Sequence, residues 1–161
     1  MSGGDWQDDP RYVASLNEPL NEVEPGLYIG SAMARDRVEQ HGIRVVVCLT
    51  TPLDERHLTI LPANVTEHRH YLVDVLRQDM SKLNALLDET TAQIAAAVTG
   101  GQPVLVHCGA GVSRSAAVVM DYLMQRRGLT FNAAMRHLED ARYCTCPNPT
   151  FQACLHVRAR K

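Results

Sequence analysis

Apolar positions along this chain alternate between two regimes. GLYIGS, with Leu27 to Ile29 at its centre, IRVVVCLT over 43–50 and PVLVH over 103–107 are short, nearly unbroken apolar runs. The second is rich in β-branched side chains, as in a strand buried on both faces. HRHYLV, 68–73, adds another strand. Between these runs the spacing becomes helical. Leu83, Leu86, Leu87, Ile94 and Val98 recur on one face of a helix over 81–98, with Ser81 as its cap. Further helices are predicted over 32–41 (stopped by Gly42), 114–127, 130–141 and 150–160, and a loop or short helix over 54–61. Strands alternating with helices predict an α/β fold, a mostly parallel central sheet with helices on both faces.

Residues 1–25 stand apart, acidic and interrupted by Pro10, Pro19 and Pro25. Asp9 is placed to cap a short helix with Pro10 at its first position, running to about Asn17. Such a helix is marginal alone, so Tyr12, Val13 and Leu16 need a surface to pack on. The chain divides into this segment, 1–25, and one domain, 26–161. Its 161 residues, 45% apolar, suffice for a single core. A net charge of -2 offers no electrostatic footprint for nucleic acid. No apolar run approaches the ~18 residues of a membrane span, so no membrane partner is expected. The polar start MSGGDWQDDP resembles neither a signal nor a transit peptide. Five cysteines, at 48, 108, 144, 146 and 154, point to reduced thiols and a cytoplasmic location rather than a disulfide framework.

The chemistry concentrates in VLVHCGAGVSRSA, 104–116. A strand delivers Cys108 to the carboxyl edge of the sheet, where α/β proteins bind ligands. Gly109, Ala110, Gly111, Val112 and Ser113 then form a tight loop whose N–H groups can converge as an anion nest. The helix opening at Arg114 adds its own N–H groups and dipole. Arg114 supplies a planar fork for two phosphate oxygens. The same field favours the thiolate of Cys108. Nucleophile and oxyanion cradle thus share one loop, the arrangement for attack on phosphorus through a phosphocysteine. The third position of a dinucleotide fingerprint holds Arg114, and a phosphate-loop lysine is absent.

HCGAGVSRS resembles the HCxxGxSRS signature of the dual-specificity branch of cysteine-dependent protein phosphatases. The resemblance extends from NEVEPGLYIGS through YLVD to CPNPTF. The spacing LVDxxxxDxSK before VLVHC is most similar to small poxviral enzymes of the vaccinia type, which would imply a viral protein of the host cytoplasm or virion; NEVEPGLYIG also resembles small human enzymes. The family implies hydrolysis of phosphotyrosine and phosphoserine/threonine in phosphoprotein substrates, with no metal and no cofactor. It also implies an aspartate about thirty residues before the cysteine as general acid. Asp74, directly after a strand, matches that element. Asp79 is expected to brace the loop and Asp88 to be a solvated helix position. Ser115 matches the hydroxyl that aids departure of the thiolate, His107 is expected to orient the loop, and Ser113 to shape it.

Other readings share these residues. A phosphoinositide phosphatase would be expected to carry lysines between Gly109 and Ser113, which has none. A phosphoprotein-binding scaffold on the same fold remains an alternative, although such proteins typically lose the nucleophile. His68 and His70 lack a third metal ligand at suitable spacing. Cys144 and Cys146 are poorly spaced to bridge. Arg158, Arg160 and Lys161 complement the dipole of the last helix. The poxviral resemblance also implies a homodimer that exchanges its N-terminal helix, here residues 9–20.

Overall fold

The computed structural model describes residues 6–159. Five strands form one sheet: β1 (Leu20–Glu24), β2 (Leu27–Gly30), β3 (Val45–Thr50), β4 (Thr66–Tyr71) and β5 (Val104–His107), in the order β1-β2-β5-β3-β4. All neighbours are parallel except β1 and β2. β3 is buried at every position, as its unbroken apolar run requires. β1 was not foreseen. Leu20 and Val23 are its two buried side chains, Leu20 in the core of one sheet face and Val23 in that of the other, and its register slips between Glu22 and Glu24.

Five α-helices complete the fold: α1 (Pro10–Asn17), α2 (Met80–Thr99), α3 (Arg114–Arg127), α4 (Phe131–Ala141) and α5 (Pro149–Arg158). Helices flank the sheet as expected, but the two faces differ in kind. Val45, Val47, Leu49 and Val106 share one core with residues of α2 to α5. On the other face Val46, Cys48 and Leu105 pack against Ala34, Val38 and Ile43, and against Leu58 and Leu61. Two 3₁₀ helices serve that face, Ala32–Arg37 and Asp54–His57. The first replaces the longer helix predicted over 32–41.

Capping fixes the boundaries. Asp9 accepts from Arg11 N–H with Pro10 in the first turn of α1, as anticipated. α2 is capped by Asp79 rather than Ser81, through a bond from Lys82 N–H at 3.1 Å. Asn148 caps α5, with Pro149 at its start. Arg158 does more than complement a dipole. It is buried and donates to Asp121, itself fully buried, at 2.7 and 2.9 Å, and to Asp88 at 2.7 Å. This network ties α5 to α3 and α2. Arg160 and Lys161 lie outside the described residues. No helix among the described residues is long and apolar enough to cross a membrane.

α1 finds its partners in its own chain. Tyr143 Oη donates to Asp9, Cys144 N–H donates to Ser15 Oγ, and Arg142 donates to the Glu18 carbonyl at 2.7 Å. The surface that this short helix needs is therefore supplied within one chain, and its packing does not call for exchange between protomers.

Candidate active site

β5 ends at the centre of the sheet, and Cys108 follows it directly, 3% exposed at the floor of the loop. The loop is shaped by what happens to its carbonyls. Gly109 O accepts from Ala32 N–H at 3.0 Å and Val112 O from Cys146 N–H at 2.7 Å. Between them Ala110 O and Gly111 O both accept from the Arg142 guanidinium, at 3.1 and 2.9 Å. Four consecutive carbonyls are thus drawn to partners outside the loop. In a trans peptide the following N–H points opposite to the carbonyl, and no peptide here is cis. The N–H groups of Ala110 to Ser113 are therefore turned to the concave side, as an oxyanion nest requires.

Gly111 makes this curvature possible. Its φ is +70°, and a Cβ there would stand 2.6 Å from the carbonyl carbon of Gly30 and 2.9 Å from Arg142 Nη2. Only glycine satisfies both conditions.

The remaining side chains converge on this cradle. Ser115 Oγ lies 3.2 Å from Cys108 Sγ, both buried, so the serine serves the sulfur rather than capping α3. Arg114 donates to the Leu72 carbonyl at 3.2 Å, and its Nη2 lies 3.1 Å from where a Gly109 Cβ would stand. The guanidinium is thereby held over the start of the loop, with Asp54 at its rim 3.9 Å away. Asp74 Oδ1 accepts from Ser113 Oγ at 2.7 Å and from Asn148 Nδ2 at 2.9 Å. Ser113 in turn accepts from Asn148 N–H at 2.9 Å. Loop, aspartate and the cap of α5 form one unit, joined through Asp74 Oδ1.

His107 is completely buried. Arg35 donates to its Nε2 at 3.1 Å, which leaves the ring proton on Nδ1 to donate to Cys108 O at 3.1 Å. Burial foremost, aided by the Arg35 charge, pushes its pKa down to about 4. The imidazole is neutral, with both ring nitrogens engaged in hydrogen bonds and its single N–H committed to the Cys108 carbonyl. Arg35 is itself held by Thr59 O and Glu67. Burial works to raise the Glu67 carboxyl, but Arg35 and Arg69 outweigh it and hold it below the usual carboxylate range.

Asp79 is not brought to the site. It caps α2, and the brace of the 73–78 loop is Gln78, whose amide donates to Val73 O and Val75 O at 2.8 and 2.9 Å. Asp88 is mostly exposed and pairs with Arg158. His70 pairs with Gln93. Arg142, Arg35 and Asn148 escaped the sequence reading. Arg142 reaches partners 31 to 124 residues away, and no local pattern announces such a bond. Asn148 before Pro149 does read as a helix cap, which could have located it but not its bond to Asp74.

Residues 27–161 match the family model of the dual specificity phosphatase catalytic domain. The chain belongs to that family. Human dual specificity phosphatase 28 is 38% identical over 133 residues, 83% of this chain and 73% of that protein. The Arabidopsis thaliana dual specificity protein phosphatase 1B is 31% identical, over 82% of this chain and 77% of its own length. The mouse serine/threonine/tyrosine-interacting protein is 28% identical over 89% of this chain, and the matched stretch is 66% of its length. Among solved structures, human DUSP28 superposes with a TM-score of 0.76 at 33% identity, covering 89% of this chain and 94% of that one. These relatives are animal and plant proteins, and they lend no support to the narrower poxviral resemblance.

Proposed function

We propose that this dual specificity phosphatase domain hydrolyses phosphotyrosine and phosphoserine/threonine in proteins through a phosphocysteine intermediate. One observation carries the reading. Cys108 lies at the floor of a loop whose carbonyls are all tied outward, with Arg114 above it and Asp74 bonded to the loop through Ser113. Substrate phosphate enters with its non-bridging oxygens on the N–H groups of Ala110 to Ser113 and on the Arg114 fork. Cys108 Sγ attacks phosphorus as a thiolate, and the bond to the seryl, threonyl or tyrosyl oxygen breaks. Asp74 Oδ2 gives that oxygen its proton, since an alkoxide is a poor leaving group.

In the second step Asp74, now a carboxylate, takes a proton from water as the water attacks phosphorus. The S–P bond breaks and Ser115 Oγ donates a hydrogen bond to the departing thiolate. Inorganic phosphate leaves and the starting state returns. Asn148 and Ser113 are positioning residues for Asp74, and Arg142 for the loop.

The test is turnover of phosphotyrosine and phosphoserine peptides by the wild type and by Cys108→Ser. The expected result is release of phosphate from both by the wild type and from neither by the variant. Equal activity of the two proteins would overturn the reading. A scaffold role predicts partner binding without phosphate release from any peptide, and a lipid role predicts release from phosphoinositide vesicles alone.

A further inference from the structure

Two cavities flank the catalytic loop. The smaller, about 150 Å3, lies beside Cys108, Gly109, Thr50 and Asp54. The larger encloses about 560 Å3, within the range of specific ligand sites, and plays no part in the steps above. Its lining residues include Trp6, Tyr12, Tyr143, Val112, Asp74 and Glu139. Among the described lining residues none is lysine, arginine or histidine. Val112 belongs to the phosphate loop and Asp74 to the acid position, so this cavity opens directly beside the reacting phosphate.

We propose that this cavity is a substrate subsite for the side chain of a lysine or arginine that flanks the phosphorylated residue. The proposal rests on the protein phosphatase reading and names its preferred substrates. Aromatic faces attract a cation, and the aliphatic stem of a long basic side chain covers apolar wall. Tyr143 already carries one such contact, with the Arg11 guanidinium carbon 4.8 Å from its ring centroid. Trp6 is held in place by an edge-on contact with Tyr12, centroids 4.7 Å apart. Glu139 supplies the counter-charge, while an acidic flanking residue would meet the carboxylates of Asp74 and Glu139, the Arg11 guanidinium at Tyr143 being already paired with Asp9. The N-terminal segment thereby forms a wall of the substrate site.

Three phosphotyrosine peptides that differ at one flanking position, arginine, norleucine or glutamate, test it through their kcat/KM ratios. The arginine peptide is expected to exceed the norleucine peptide by about tenfold and the glutamate peptide by more. In Trp6→Ala and in Glu139→Gln the arginine advantage should shrink to about threefold or less. Equal rates in the wild type, a preference for glutamate, or an arginine advantage that survives both substitutions would overturn the proposal. Trp6 is the sole tryptophan of the chain, so its fluorescence reports on the cavity directly. In Cys108→Ser the arginine peptide should bind more tightly than the norleucine peptide and change Trp6 emission, and equal affinities would overturn the proposal. This arm separates failure of the subsite from failure of catalysis. A wild type that turns over none of the peptides refutes the phosphatase reading, while the binding comparison still judges the cavity.

Discussion

Replacing Arg142 by methionine removes the one side chain that holds two of the four outward carbonyls of the loop. Methionine retains much of the buried aliphatic volume, so the loss is chiefly of hydrogen bonds. Gly111 is buried, and its carbonyl left unpaired costs about 1–3 kcal/mol. Ala110 and Glu18 are exposed, so water takes over at their carbonyls with little penalty. The bond to Asn21 Oδ1 at 3.0 Å is also lost. Together these destabilise by about 2–4 kcal/mol, and a domain of this size loses about 2–4 °C of Tm for each. Tm should therefore fall by roughly 5–15 °C. The functional effect should be larger than the stability effect implies. With only the Gly109 and Val112 carbonyls tied, the N–H groups of the nest drift, and a misplacement of about 1 Å costs about a hundredfold. Vanadate inhibition and kcat/KM for an aryl phosphate, measured well below the melting transition, should both weaken by about 10- to 100-fold. Arg142→Lys keeps the charge but cannot span the acceptors, and should resemble the methionine variant. A methionine variant within about 2 °C of the wild-type Tm and about twofold of its vanadate affinity would refute the claim that Arg142 shapes the loop.

Asp74→Asn should slow phosphoserine peptides by about 10²- to 10⁴-fold yet spare an aryl phosphate with an acidic phenol, because only the basic leaving group needs the proton. Asp79→Asn should instead destabilise α2 by about 1 kcal/mol without leaving-group dependence, which melting and kinetics together distinguish. His107 binds a proton at about 4 when folded and near 6.5 when unfolded, so the unfolded state holds more protons between those values. Stability from this group is therefore complete above the unfolded value and declines as pH falls through the window, by about 3 kcal/mol at pH 4 and below. Urea denaturation across that range should show a shallower decline for His107→Gln, and parallel profiles would contradict it. Cys108 should alkylate faster than Cys144 and Cys146 at neutral pH, with inorganic phosphate protecting it; mass spectrometry of the modified peptides reads both effects.

The catalytic loop was legible because its determinants are contiguous. The strand, the glycines, Arg114 and the start of the helix that follows all fall within thirteen residues, and each acts on its neighbours. Asp74 was legible from the HRHYLV run before it, although β4 ends at Tyr71 and Asp74 stands three residues beyond, and α1 was legible as Asp9 followed by Pro10. What escaped depends on distant partners. Arg142 and Arg158 are single charges whose burial is decided by chain segments far away in sequence. β1 reads as polar because this edge strand buries only Leu20 and Val23, one on each face and out of simple alternation across the slip in register. Asp79 has the spacing of a loop brace, but its carboxylate is taken by the first turn of α2, two residues ahead of the expected cap at Ser81. The 32–41 segment has helical residues, yet it tightens to a 3₁₀ turn around the buried Ala34 and Arg35.

The central claim is that Cys108 carries the phosphoryl group between the two steps. Wild type and Ser115→Ala, mixed with a phosphotyrosine peptide and quenched in acid within the first turnover, give peptides in which a phosphorylated cysteine can be located by mass spectrometry. The account predicts phosphate on Cys108, at higher occupancy in Ser115→Ala because that variant lacks the hydroxyl that aids thiolate departure, and none in Cys108→Ser. Turnover with Cys108 unmodified at every quench time, or phosphate release that survives Cys108→Ser, would contradict it.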